Sequence, residues 1–154
     1  MTAPLQLCVR RTPPAAIAGL GTLVRLRMPS DVSCIEQAVS LVTRHCLAGG
    51  LASERLRFRL QVALTEALAN AVVRGNRENP AKSVLVEAEL FPDRIRVTVS
   101  DEGDGFDPAR IPEPVRPDQL AESRGRGLFL IRKLVDDVRF NEQGTSICMT
   151  LRRP

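Results

Sequence analysis

Two alternating runs, Val84–Phe91 and Arg94–Ser100, are separated only by Pro92-Asp93. Every second side chain in each run is apolar, which is the period of a strand with one buried face. So short a gap turns the chain straight back, and the two runs form an antiparallel hairpin. A sheet with one apolar face must bury that face against a second layer. The rest of the chain therefore has to supply helices for one side of a sheet.

It does. Thr22–Met28 alternates and reads as a further strand, stopped by Pro29. Ser30 and Asp31 are good caps for a following helix, and Ser33 with Glu36 has capping-box spacing. That helix runs to about Leu47, with Ile35, Ala38, Val39 and Val42 as its apolar stripe, and Gly49-Gly50 ends it. Ser53 opens a second, mostly apolar helix that ends near Gly75, and Asn76–Lys82 is a turn. Gly125–Val138 is predicted as a third helix, with Leu128, Ile131, Leu134 and Val135 inward. Arg139–Asn141 and Ser146–Leu151 form a last hairpin about Gln143-Gly144. The order β-α-α-β-β-loop-α-β-β predicts an α+β fold, a two-layer α/β sandwich with a mixed, mostly antiparallel sheet and helices on one face. Residues 1–21 hold Pro4, Pro13, Pro14, Gly19 and Gly21 without a sustained period and read as a flexible arm, which leaves 22–154 as one domain. Residues 108–124 carry Pro108, Pro112, Pro114 and Pro117 and read as a long surface loop of the kind that serves as a lid.

Composition narrows the function classes. The net charge is +4, from 22 Lys and Arg against 18 Asp and Glu, and Trp and Tyr are absent. A mild, scattered basic excess with almost no aromatics makes a poor stacking surface, so no direct nucleic-acid partner is expected. Cys8, Cys34, Cys46 and Cys148 form no CxxC pair, which argues against zinc and for a reducing, cytoplasmic compartment. No apolar run reaches ~18 residues, so no membrane span is expected. Arg10-Arg11 is not followed by a continuous apolar segment, so no secretory signal is expected either.

Three places carry chemistry. Glu66 and Asn70, in LTEALANAVVRGN, lie one turn apart on one face of an otherwise apolar helix. A buried, unpaired carboxylate is costly, and a cleft holding a metal and phosphate would resolve that cost. Alternatively both side chains cap or hydrogen-bond the neighbouring layer. Asp101-Glu102-Gly103-Asp104-Gly105-Phe106 follows a strand directly. Its glycines admit a flat ligand, and a carboxylate at the strand end can accept a hydrogen bond from an exocyclic amine. An acidic hairpin turn is the other reading. An EF-hand calcium loop is excluded, because Pro112 stands where the bidentate glutamate would be. Gly125-Arg126-Gly127-Leu128 opens a helix, where free amides and the helix dipole favour phosphate. It is neither a Walker loop nor a Rossmann fingerprint, and a plain glycine loop before a helix remains open. Gly144-Thr145 reads equally as an ordinary hairpin turn.

Taken together in this order, the stretches EALANAVVRGN, DEGDGFDP, GRGLFLIRKLVDDV and GTSICM resemble the GHKL ATPases. Within them the chain is similar to the short bacterial anti-sigma factor serine kinases of the RsbW type, over roughly residues 22–152. The resemblance implies the Bergerat ATP-binding fold and a site for ATP and Mg²⁺. It implies Glu66 as general base toward a serine or threonine hydroxyl, and Asn70 as the Mg²⁺ ligand. Asp101 would bind the adenine amino group, with Gly103, Gly105 and Phe106 shaping that pocket and Thr145 near the adenine. Gly125, Arg126, Gly127 and Leu128 would hold the phosphates. Arg74 would be a nucleotide contact, standing where the family often has histidine. A guanidinium is not an acid–base group near neutral pH, so a proton relay there is in doubt. The partners implied are a sigma factor, a STAS-domain antagonist that is the phosphorylation substrate, and a second copy of the chain. The alternative is a nucleotide-gated protein-binding module with little or no kinase activity.

Overall fold

A computed structural model describes residues 4–11, 21–48, 53–107 and 123–153. Among these residues six strands make one sheet: β1 (Gln6–Arg11), β2 (Thr22–Pro29), β3 (Ser83–Leu90), β4 (Arg94–Ser100), β5 (Asp137–Phe140) and β6 (Ser146–Arg152). Their order across the sheet is β1-β2-β3-β4-β6-β5, and every pairing is antiparallel. The α-helices of the described residues, α1 (Ile35–Cys46), α2 (Glu54–Ala69) and α3 (Ser123–Leu134), complete an α+β sandwich. The expected sheet was mixed; among the described residues it has no parallel pair.

The period-two pattern decides which side of the sheet is covered. Val24, Leu26 and Met28 of β2, Val84, Val86 and Ala88 of β3, Ile95, Val97 and Val99 of β4, and Met149 and Leu151 of β6 are buried together. Register aligns them into rows, such as Leu26 opposite Val86 and Val86 opposite Val99. The helices close that face with Ala38, Val42, Leu60, Leu64, Leu68 and Ile131, all buried. The other face carries cross-strand ion pairs, Arg25 with Glu87 at 3.3 Å and a bidentate Arg96–Glu89 pair at 2.8 and 3.0 Å. Alternation thus assigns apolar residues to the helices and charged ones to the opposite face.

Four boundaries differ from expectation. Gln6–Arg11, placed in the arm, is the edge strand β1; all six of its residues are exposed, so no burial pattern marks it, and backbone pairing to β2 holds it. Residues 12–20 lie outside the described residues. The capping box at Ser33 and Glu36 does not form. Instead Asp31 accepts hydrogen bonds from Ser33 N–H at 2.9 Å and Ser33 Oγ at 2.7 Å, capping a 3₁₀ turn, Val32–Cys34, that precedes α1. Those bonds hold the Asp31 carboxyl below its ordinary value. Third, α3 begins at Ser123 and stops at Leu134 rather than running from Gly125 to Val138. Its end is drawn into the sheet: Asp136 N–H bonds Thr150 O at 2.8 Å, and Arg59 Nε donates to the Leu134 carbonyl. Fourth, the last hairpin accordingly starts at Asp137 instead of Arg139.

Ser53 caps α2 as expected, its Oγ accepting from Leu56 N–H at 3.1 Å. After Ala69 the helix widens into a π-helical turn, Asn70–Gly75, closed by Asn76 N–H to Ala71 O at 2.8 Å. Such one-turn bulges gather at functional sites. Among the described residues no helix is long and apolar enough to cross a membrane. Burial pushes the Cys46 thiol up to about 12.

Candidate functional site

The widened turn, the end of β4, the β5–β6 turn and the start of α3 surround one cleft. Asn70, Arg74, Asp101, Gly105, Phe106, Leu128 and Thr145 all line it. Each was expected at the site from sequence. The lid expected over residues 107–124 lies almost wholly outside the described residues.

One end is built on α2 and α3. Glu66 and Asn70 point toward Gly127. A Cβ added at Gly127 would lie 3.0 Å from Glu66 Oε2 and 3.4 Å from Asn70 Nδ2. Glycine is therefore what lets α3 come so close to a carboxylate and an amide. Glu66 and Asn70 are half-buried, and neither side chain has a hydrogen-bond partner among the described residues. Half-buried polar groups without partners normally answer to water or a ligand. Gly125 and Arg126 sit in the first turn of α3 and do not line the cleft; Arg126 is exposed. Because the helix starts before Gly125, the glycines are not needed to begin it.

The other end is built on Asp101. Its backbone N–H bonds Thr145 O at 2.9 Å, and its Oδ1 accepts from Gly103 N–H at 2.8 Å. The carboxylate lies over Gly75, and a Cβ at Gly75 would run into it. Gly103 lies equally close to the Gly75 carbonyl, which places it behind Asp101 rather than on the cleft wall. Gly75 does not take the left-handed conformation that often ends helices. Arg77 and Glu78 take it, at φ 52° and 54°. Gly75 serves for room, not for the turn. Gly105 does adopt a positive φ of 78°, packed against Gln143 and Thr145.

Apolar walls join the two ends. Phe106 meets Phe140 edge to face at 5.4 Å, and Ala67, Ala71, Val99 and Ile147 contribute the remainder. Asn141 shapes the turn beneath: its Oδ1 accepts from Thr145 N–H at 2.8 Å and its Nδ2 donates to Thr145 Oγ1 at 2.8 Å. The cleft thus pairs an amine-accepting carboxylate in a snug apolar slot with the Asn70 amide near a helix start; Glu66 and Gly127 lie beside Asn70 but do not themselves line the cleft. That suits a ligand with a flat aminated ring at one end and anionic groups at the other. An amide oxygen such as Asn70 Oδ1 is the hard donor that Mg²⁺ prefers.

Sequence reasoning missed Gly75, Arg77, Asp104, Phe140 and Ser146 on the cleft wall, and Asn76 behind it. Asp104 lay within the quoted acidic loop. Gly75 and Asn76 follow directly on the Glu66–Asn70 helix, a weak signal at best. Nothing local marks Arg77.

The family model described as histidine kinase-like ATPase domain matches residues 28–151. The chain is 37% identical over 99 residues to the serine-protein kinase RsbW of Bacillus subtilis (strain 168), covering 59% of this chain and 61% of that protein. It is 35% identical over 99 residues to RsbW of Staphylococcus aureus (strain Newman), covering 58% and 62%. To RsbW of Listeria innocua it is 33% identical over 98 residues, covering 59% and 62%. The match thus spans about three fifths of each relative's length.

Proposed function

Because this chain belongs to the histidine kinase-like ATPase domain family, we propose that its cleft binds ATP with Mg²⁺ and that the protein phosphorylates a serine or threonine of a partner protein. The partner is a STAS-domain antagonist. The protein itself is a cytoplasmic anti-sigma factor, working as a homodimer, that holds a sigma factor until the unphosphorylated antagonist displaces it. The observation that carries the reading is the shared cleft. Asn70 lines it at one end, with Glu66 and Gly127 beside it, and Asp101 lines it over Gly75 at the other. The names of the relatives support the transfer.

In this reading Asp101 accepts a hydrogen bond from the adenine amino group, between Phe106 and the Thr145 turn. Gly105 leaves the backbone close enough for the ring, and Gly103, behind Asp101, holds that carboxylate through its N–H. Asn70 Oδ1 is the ligand for Mg²⁺, which when bound neutralises charge on the phosphates. The start of α3 takes the phosphates, with Gly127 leaving room beside Asn70 and Leu128 on the cleft wall, and Arg74 adds a cation from that wall; Gly125 and Arg126 stand off it. Glu66 takes the hydroxyl proton as the substrate oxygen bonds to the γ-phosphorus and the bond to ADP breaks.

Arg74 favours a second reading, a nucleotide-gated binding module without transfer, because a guanidinium cannot relay a proton. Incubation of the chain with γ-labelled ATP and purified STAS-domain proteins of the same genome separates the two. Label on serine or threonine, lost in Glu66→Ala, supports the kinase. ATP binding without label on any of them favours the module. Equal labelling by both chains removes Glu66 as base.

A further inference from the structure

Asn76 stands one residue beyond Gly75 and is 1% exposed. It does not line the cleft. Its side chain nevertheless makes three hydrogen bonds to three separate segments. Nδ2 donates to Ser30 Oγ at 2.8 Å and to Ser83 O at 2.9 Å, and Oδ1 accepts from Glu102 N–H at 2.8 Å. These partners fix which way the amide points. A carbonyl can only accept and an N–H can only donate, so the flipped amide would lose both bonds. Glu102 is tied a second time, its Oε2 accepting from Ser83 N–H at 2.6 Å.

Glu102 follows Asp101 directly. Asp101 donates its N–H to Thr145 O in the β5–β6 turn, and its Oδ1 accepts from Gly103 N–H within its own loop. The Asn76–Glu102 bond joins that loop to the turn ending α2, the turn whose Gly75 lies under the Asp101 carboxylate. We infer that Asn76 is a positioning residue for base recognition: its side-chain oxygen holds Glu102 N–H, and with it the Asp101 carboxylate, over Gly75. Recognition of an aminopurine then depends on a side chain that does not touch the ligand. The inference rests on the nucleotide reading above.

The test compares ATP with ITP, which carries a carbonyl in place of the amino group. Each is titrated with Mg²⁺ into the wild-type chain, Asn76→Ala, Asn76→Asp and Ser30→Ala. The wild type prefers ATP by about tenfold or more, since a site built to bond a polar group discriminates against an analogue lacking it. In Asn76→Ala, ATP affinity falls about tenfold while ITP affinity holds within about twofold, so the ratio approaches one. Asn76→Asp keeps an acceptor for Glu102 N–H and keeps the ratio, although an acceptor now facing Ser83 O lowers thermal stability. Ser30→Ala also lowers stability and keeps the ratio. A merely structural role predicts otherwise, with ATP and ITP weakened alike in Asn76→Ala. That result, or an unchanged ratio in Asn76→Ala, overturns the inference. Should Asn76→Ala not fold, Asn76→Asp decides: a preserved ratio supports the inference and a collapsed one overturns it. A wild-type chain that binds neither nucleotide overturns the nucleotide reading and this inference with it, and one that binds both equally overturns the inference alone, before any variant is compared.

Discussion

At the Asp101 end of the cleft, backbone and side-chain hydrogen bonds converge from Thr145, Gly103, Asn76 and Ser83 on Asp101 and Glu102. At the Glu66 end, the two chemical side chains have no such partners among the described residues, and close packing of α2 on α3 through Gly127 sets their positions. The first end is organised before any ligand arrives. The second is left for a ligand to organise. A preformed polar pocket contributes specificity, since its groups suffer when the wrong ligand leaves them unpaired. A looser carboxylate and amide suit a step in which a proton and a phosphoryl group change hands.

The largest expected effect falls at the loose end. Glu66→Gln lowers phosphoryl transfer by about 10²–10⁴-fold, the usual contribution of a general base. ATP affinity in the same variant stays within about threefold, because the base is not asked to bind the nucleotide. A variant that loses binding and transfer together would place Glu66 among the binding groups instead. Gly75→Ala is the matching change at the rigid end. Its Cβ meets a carboxylate that Gly103 N–H already pins, so neither can give. Overpacking of this kind costs about 1–3 kcal/mol in urea denaturation, and ATP binding weakens with it.

Gly127→Ala sharpens the contrast. The added Cβ meets the tip of Glu66, which can swing aside, and alanine gains up to about 1 kcal/mol of helix propensity over glycine. Global stability stays within about 1 kcal/mol of wild type while transfer drops about tenfold, because Glu66 is displaced. If Gly127→Ala destabilises as much as Gly75→Ala, the two ends are not different in kind.

The smallest effect is at the far end of α3. Asp136 accepts from Arg152 N–H at 2.7 Å and from Arg59 at 3.1 Å. The Arg152 N–H above all, with Arg59 assisting, holds its carboxyl below the usual 3.8. A depressed carboxyl contributes stability that is present above the unfolded value and lost as pH falls through the folded one. Melting temperature should therefore fall less steeply below about pH 4 in Asp136→Asn than in wild type. Parallel acid limbs in the two chains would remove Asp136 as an anchor.

The same contrast explains what the sequence could tell. Strands β2, β3, β4 and β6 were legible because each buries alternate residues, and α2 because Ser53 caps an apolar run. The Glu66–Asn70 pair was legible because polar residues stand out on an apolar helix. Strand β1 was not, since an exposed edge strand carries no period. Nor was the end of α3, which a tertiary hydrogen bond to Thr150 decides. Asn76 looked like one more turn residue. Its burial comes from the end of β2, β3 and the Asp101 loop meeting around it.

The central claim is that these two ends grip one nucleotide. Calorimetric titration of ATP with Mg²⁺ into the wild type, Asp101→Ala and Asn70→Ala tests it directly. The account predicts one site per chain, weakened in both variants, and a melting temperature that rises with ATP, as it must when a ligand binds only the folded state. No heat and no stabilisation at millimolar ATP would contradict it, and so would two variants that bind as the wild type does.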